Sequence, residues 1–80
     1  MGEDTSKELS YGEKAVGITF NPGGDEQVNE VKKLYAQIID LLNSLPVQTG
    51  PSERLRLIKI AITEAQGAQM WAVKGITWKD

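Results

Sequence analysis

The stretch from Ser52 to Trp78 constrains the fold of this chain more than any other part of the sequence. It contains no proline, and its apolar residues recur at helical spacing, which predicts a long amphipathic helix. The stripe comprises Leu55, Ile58, Ile62, Ala65, Met70, Val73 and Ile76. Leu57, Ile60 and Trp71 lie outside it, and a helix that is apolar over so much of its circumference is normally buried on several sides. We therefore expect this helix to pack on one helix of its own chain and on other copies of the chain.

Length and composition exclude several classes of function. Eighty residues predict a single domain, residues 1–80, which buries only a small core on its own. The sequence has no cysteine and no histidine, so it lacks the commonest general base and the commonest metal ligands. Paired carboxylates such as Asp40 and Glu64 are more typical of solvated helix faces than of acid–base sites. We expect no catalytic residues, no metal and no cofactor.

Charge and hydropathy bear on partners and location. A net charge of -2 argues against binding to DNA or RNA polymers, because their phosphate backbones require a basic surface. No apolar run approaches the length of a membrane span, and no signal-peptide pattern precedes the domain. The expectation is a soluble cytosolic protein without membrane contact.

The first 24 residues are predicted to form an N-terminal arm and a bend. A short helix from Lys7 to Val16 precedes an extended segment at 17–20, and the Asn21-Pro22-Gly23-Gly24 sequence breaks the chain. Asp25 follows as the predicted N-cap of the next helix. Gly23 to Glu26 also spell the start of the diguanylate cyclase signature, but those enzymes carry it on a hairpin in a much larger domain. We therefore interpret the motif as a helix cap.

Two long helices make up the rest of the predicted fold. The first runs over 25–45, and the second over 52–78 with Ser52 as its cap, joined by a turn at 46–50. The predicted seam of the first helix is Val28, Val31, Tyr35, Ile38, Leu42 and Leu45. This spacing is typical of an antiparallel helical pair. The predicted fold class is all-α: an arm or short helix, a Gly/Pro bend and a two-helix antiparallel hairpin that assembles into a homo-oligomer.

Aromatic and basic residues favour a binding function. Rings stack on bases and cations pair with phosphates, but Tyr35 and Trp71 lie on helical stripes and are better explained by packing. Tyr11 and Phe20 lie in the arm and bend and are freer to meet a ligand. The bend also precedes a helix start, where backbone N–H groups commonly bind phosphate. These residues by themselves indicate a small helical binding module for an anionic ligand.

Residues 12–17 (GEKAVG) and 20–25 (FNPGGD) resemble the opening of a family of small phage proteins, and Arg56, Thr63, Gln66 and Met70 are similar in order and spacing to the family's closing helix. The resemblance covers residues 12–78. The family is the phage anti-CBASS sponge, related to the Thoeris anti-defence hairpin domain. It implies a homohexamer in the cytoplasm of the infected bacterial host that sequesters cyclic oligonucleotide messengers without cleaving them. Cyclic dinucleotides such as cGAMP occupy one class of site, between protomers, and cyclic trinucleotides another, near the symmetry axis.

The resemblance also implies site residues. Lys32 corresponds to the family lysine that contacts a dinucleotide phosphate, and either Tyr11 or Phe20 supplies the stacking ring, with Tyr11 slightly favoured. For trinucleotides, Arg56, Lys59 and Thr63 share one helical face, although a salt bridge to Glu53 or Glu64 is the alternative for its cations.

Two other functions stay open on the sequence. A small helical adaptor or inhibitor that acts through protein–protein contacts explains the apolar stripes equally well. It gives no reason for the sequence of residues 12–25. An enzyme that cleaves cyclic nucleotides would need a base or a metal site that the sequence does not offer.

Overall fold

The computed structural model describes residues 8–46 and 49–80. Three helices follow in order: α1 at Tyr11–Val16, α2 at Glu26–Ser44 and α3 at Glu53–Thr77. Within the described ranges there is no strand, and the all-α prediction is confirmed. Lys7, the predicted start of α1, lies outside the described residues, and the N-cap of α1 is Ser10.

Both predicted caps of the long helices are confirmed. The Asp25 carboxylate accepts hydrogen bonds from the N–H groups of Gln27 and Val28 at 2.8 and 3.1 Å. The Ser52 hydroxyl accepts one from the N–H of Leu55 at 3.2 Å. Each side chain thus satisfies a donor that the first turn of a helix leaves without an intrahelical acceptor. The motif that begins at Gly23 is a helix cap in this fold.

The prediction of an extended segment at 17–20 was wrong, because the chain turns there. Gly17 ends α1 with φ of 63°, in the left-handed region that glycine adopts at low cost. The N–H of Ile18 donates to Glu13 at 3.0 Å, and the N–H of Phe20 donates to Gly17 at 2.9 Å. A glycine cap of this kind satisfies the last carbonyls of α1 and turns the chain toward α2.

The core lies along α2, which packs against both α1 and α3, and α1 and α3 also contact each other. Its buried members are Val16, Ala36, Ile39 and Ile62. Two residues of the predicted stripes are exposed: Ile38 is 48% exposed and Met70 is 63% exposed. The step from Ala65 to Met70 is five residues and leaves the helical line. Gln69 occupies the buried position instead.

The protomer is flat and exposes much apolar surface. Its Cα extents are 44 × 42 × 12 Å, so the thin dimension is about that of one helix. Large apolar side chains are exposed on the outer faces of both long helices, among them Leu34, Leu41, Leu57 and Ile60. A single copy therefore leaves helix faces uncovered. None of the described helices has the length and apolar character needed to cross a membrane.

Candidate functional site

The start of α1 is held on α2 by Asp40. This carboxylate accepts a hydrogen bond from the Ser10 hydroxyl at 2.6 Å and another from the Gly12 N–H at 2.7 Å. The close approach of α1 to α2 requires glycine at position 12. A Cβ there would lie 2.2 Å from the Ala36 carbonyl oxygen and 2.9 Å from the Asp40 carboxylate. The interpretation of Asp40 as part of a solvated face was therefore wrong. It is a half-buried anchor for α1.

The other end of α1 is held by Lys32, which is only 4% exposed. Its ammonium group donates to the Gly17 carbonyl at 2.9 Å and to the Phe20 carbonyl. It also lies 5.5 Å from the centre of the Phe20 ring, a distance at which the cation is attracted to the ring. An ammonium group has three donors, and two of them bond to the bend in the described structure. Lys32 thus fixes the bend and brings a positive charge beneath Phe20.

Lys32 and Phe20 line a cleft of about 450 Å³, hereafter the bend cleft. The bend contributes residues 20–23 and Asp25, α2 contributes Val28 and Lys32, and the end of α3 with the residues after it contributes Val73 and residues 76–79. Small-molecule sites in proteins have volumes of roughly 300–1,000 Å³ and combine apolar walls with a few polar groups. The bend cleft has this character.

The charges of the bend cleft favour an anionic ligand. Lys32 and Lys79 line it, together with one carboxylate, Asp25, which already accepts two backbone hydrogen bonds. Two N–H groups of the bend already have acceptors within the bend. Gly24 donates to the Asn21 carbonyl at 2.9 Å, and Asp25 donates to the Asn21 side chain at 3.2 Å. Positive charge in this cleft therefore comes from side chains.

The two candidate stacking residues have different positions. Phe20 is 71% exposed and lines the bend cleft directly above Lys32. Tyr11 begins α1 and is also exposed, but it is not among the residues that line the cleft. The protomer thus brings Phe20 and Lys32 together and leaves Tyr11 outside their cleft.

The predicted trinucleotide residues share an open depression on α3, hereafter the basic α3 face. Arg56, Lys59 and Thr63 line it together with Ile60 and Glu64, and its volume is about 370 Å³.

The cation at one end of this face already has a partner. The Arg56 guanidinium binds the Glu53 carboxylate through two hydrogen bonds of 2.9 and 2.7 Å. This pairing lowers the pKa of Glu53 and raises the pKa of Arg56 from their ordinary values. The alternative weighed for Arg56, a salt bridge to Glu53, is present in the protomer.

Sequence reasoning missed Trp78 and Lys79 as residues of the bend cleft. They follow α3, and only the return of α3 along α2 brings them to the start of α2. One signal was present in the lengths: α3 has 25 residues and α2 has 19. Six additional residues extend a helix by about 9 Å.

Among the described residues, no group of three or more His, Cys, Asp or Glu side chains is arranged to hold a metal ion.

A comparison with protein-family models matches residues 13–77 to one model, described as Acb2/Tad1, hairpin domain. Searches of curated proteins and of solved structures found no match. The matched range includes most of α1, the bend and both long helices. It therefore covers the bend cleft as far as Thr77 and the whole basic α3 face. The chain belongs to the Acb2/Tad1 hairpin-domain family, whose members are anti-defence proteins that act as binding sponges for cyclic nucleotides and not as enzymes.

Proposed function

We propose that this protein binds cyclic di- and trinucleotide messengers such as cGAMP and sequesters them without cleavage. It acts in the cytoplasm of an infected bacterial cell, where removal of the messenger prevents activation of CBASS effectors. Membership of the sponge family supports the general function. The bend cleft carries the specific proposal, because it places an ammonium group and an exposed aromatic ring in one concave site.

Lys32 suits a phosphate contact because its charge is already positioned. Two of its donors bond to carbonyls of the bend, so little side-chain freedom is left for a ligand to restrict. A hydrogen bond between an ammonium group and a phosphate contributes about 1.5–3 kcal/mol. Stacking of one base on an aromatic ring contributes roughly 1–3 kcal/mol more. Phe20 is the proposed stacking residue of this cleft.

The side-chain composition supports sequestration without cleavage. Neither histidine nor cysteine occurs in the chain, so the usual general base and nucleophile–base pairs are not available to attack a phosphodiester. Lys32 and Phe20 bind and orient a ligand without activating water. We expect intact messenger to be recovered after the complex is denatured.

The basic α3 face is the proposed trinucleotide site, with Arg56, Lys59 and Thr63 as its ligand groups. One protomer offers only an open surface there, so several copies around an axis are needed to enclose a ligand. The exposed apolar faces of α2 and α3 require such partners for burial. A homohexamer meets both needs.

Isothermal titration with cyclic di- and trinucleotides tests the proposal. Phe20→Leu removes the ring but keeps an apolar side chain at a largely exposed position, so we expect dinucleotides to bind about 5- to 150-fold more weakly with the fold intact. Thr63→Ala should weaken trinucleotide binding selectively. Tyr11→Leu is the matched control for the other candidate ring: if it abolishes dinucleotide binding and Phe20→Leu does not, the stacking role belongs to Tyr11.

Lys32→Ala needs a separate control, because Lys32 also holds the bend. Its melting temperature must be compared with that of the unsubstituted protein before lost binding is assigned to a lost phosphate contact. Heat of binding that persists unchanged in a folded Lys32→Ala protein contradicts the phosphate role.

The second candidate function is a protein-binding adaptor, which the exposed faces of α2 and α3 favour. A ligand that binds only the folded protein raises its melting temperature, so cyclic nucleotides distinguish the two functions. If no messenger gives a thermal shift or heat of binding, the adaptor remains as the function.

A further inference from the structure

Trp78 is the second exposed aromatic residue of the bend cleft, beside Phe20. It follows the last turn of α3, and its backbone N–H still donates to the Gly75 carbonyl at 3.4 Å. Its φ and ψ of -67° and 137° are those of extended chain, so the indole leaves the helical line at this residue. The side chain lines the cleft and is 63% exposed. An indole in that position presents ring surface to any occupant of the cleft.

The indole of Trp78 also has a cation beside it. The Lys74 ammonium lies 5.8 Å from the centre of the Trp71 ring and 5.8 Å from the centre of the Trp78 ring. Both distances allow the cation to be attracted to the ring. Trp71 does not line the cleft. The Lys74 ammonium therefore lies near one ring inside the cleft, Trp78, and one ring outside it, Trp71. The cation favours some orientations of the ring over others, and a ring with fewer orientations loses less freedom when a ligand arrives.

The cleft therefore has aromatic surface from two separate parts of the chain. Phe20 comes from the bend and Trp78 from the end of α3, with the Lys32 ammonium between the bend and α2. Lys79 adds a second cation on the side of Trp78. A ligand with two bases and two phosphates matches this pairing of rings and charges better than a ligand with one of each.

We propose that Trp78 is a second base-stacking residue of the bend cleft and that Lys74 is the positioning residue that orients its indole. The ligand group is a purine base of a cyclic dinucleotide, because a purine presents more ring surface to an indole than a pyrimidine does. This inference rests on the proposed function, in which the bend cleft binds cyclic dinucleotides. It adds the end of α3 to a site otherwise built from the bend and α2.

Tryptophan fluorescence gives a direct test, because the chain has two tryptophans. In Trp71→Phe, Trp78 is the sole indole and a ring still flanks Lys74. In Trp78→Phe, Trp71 is the sole indole. Titration with cGAMP should change the emission of Trp71→Phe and leave that of Trp78→Phe nearly constant, while calorimetry shows that both bind. Binding heat in Trp71→Phe without an emission change overturns the role of Trp78 and leaves the sponge function intact.

Affinities provide an independent measurement. Trp78→Ala should bind cGAMP about 5- to 150-fold more weakly, and Trp78→Phe should retain most of the affinity because it keeps a ring. Trp71→Phe is the control from the same end of α3: it keeps a ring beside Lys74 and should bind within a few-fold of the unsubstituted protein. Lys74→Met should weaken binding less than Trp78→Ala and should alter the Trp78 emission before ligand is added.

Two outcomes are decisive against the inference. An exposed indole is also available for contacts between copies, so sedimentation must accompany the titrations. Lost binding together with a lost oligomer assigns Trp78 to assembly and overturns the stacking role. No heat with cGAMP or any other cyclic dinucleotide in the unsubstituted protein overturns the proposed dinucleotide function and this inference with it.

Discussion

At the scale of single residues, two of the cations proposed as ligand groups already have partners within the protein. Lys32 is bonded to two backbone carbonyls and still lines the bend cleft. Two nitrogens of the Arg56 guanidinium donate hydrogen bonds to the Glu53 carboxylate. A phosphate at the basic α3 face must therefore compete with the Glu53 carboxylate for the guanidinium. This competition can be measured.

Glu53→Gln should strengthen cyclic trinucleotide binding if Arg56 is a ligand group, because it removes the charge that the guanidinium now pairs with. Stability should change little, since both side chains are exposed and such pairs contribute little in water. The pairing lowers the Glu53 pKa, so its small stabilisation is present above the ordinary glutamate pKa and is lost as pH falls through the lowered value. Calorimetry with a cyclic trinucleotide is the measurement, and Glu64→Gln is the control. Unchanged affinity in Glu53→Gln argues against a ligand role for Arg56.

At the scale of elements, α1 depends on α2 for its existence. A helix of six residues is far too short to persist alone in water. Ser10 and Glu13 form a reciprocal capping box at its start, Asp40 accepts from two donors there, and Lys32 holds its end. The position of the bend, and with it Phe20, is therefore set from α2.

Gly12→Ala should destabilise the fold, because its methyl group would meet the Ala36 carbonyl and the Asp40 carboxylate. Overpacking of this kind costs about 1–3 kcal/mol. Urea unfolding followed by circular dichroism measures the change.

Gly67→Ala is the matched control for Gly12→Ala. Its added Cβ meets nothing within 4 Å in the protomer, and alanine is favoured over glycine in a helix by roughly 0.5–1 kcal/mol. Equal effects of the two substitutions would contradict the close approach of α1 and α2.

At the scale of the whole molecule, the protomer is a thin layer with apolar faces. Among the described residues five apolar side chains are buried, Val28 in addition to the four of the core cluster, whereas eleven large hydrophobic side chains are exposed. Leu34, Ile38 and Leu41 lie at steps of four and three on one face of α2. Exposed apolar faces of this kind are typical of interaction sites, and assembly with further copies of the chain would cover this one.

Ile38→Glu should prevent assembly while sparing the protomer, because Ile38 is half exposed there and tolerates a polar side chain. Sedimentation velocity should show a shift from the oligomer toward the monomer. Gln37→Glu introduces the same charge at the neighbouring exposed position and should leave assembly unchanged. An oligomer that survives Ile38→Glu would place the interface on another face.

The features that the sequence determined by itself are local ones. The long helices, the Asp25 and Ser52 caps and the break at Pro22 depend on residues within a few positions of one another, and helix geometry sets those distances. Lys32 was expected only as a phosphate contact, on the basis of the resemblance. Its two hydrogen bonds to carbonyl groups of the bend could not be predicted from the sequence.

The features that only the tertiary structure decided join residues far apart in the chain. Asp40 meets Gly12 across 28 positions, and Trp78 reaches the cleft of Phe20 because α3 returns along α2. The choice of Gln69 over Met70 as the buried residue likewise depends on how α3 is rotated against α2. Helical spacing determines which residues share a face, but the rotation and offset between packed helices depend on contacts along their whole length. The bend cleft exists because of that offset.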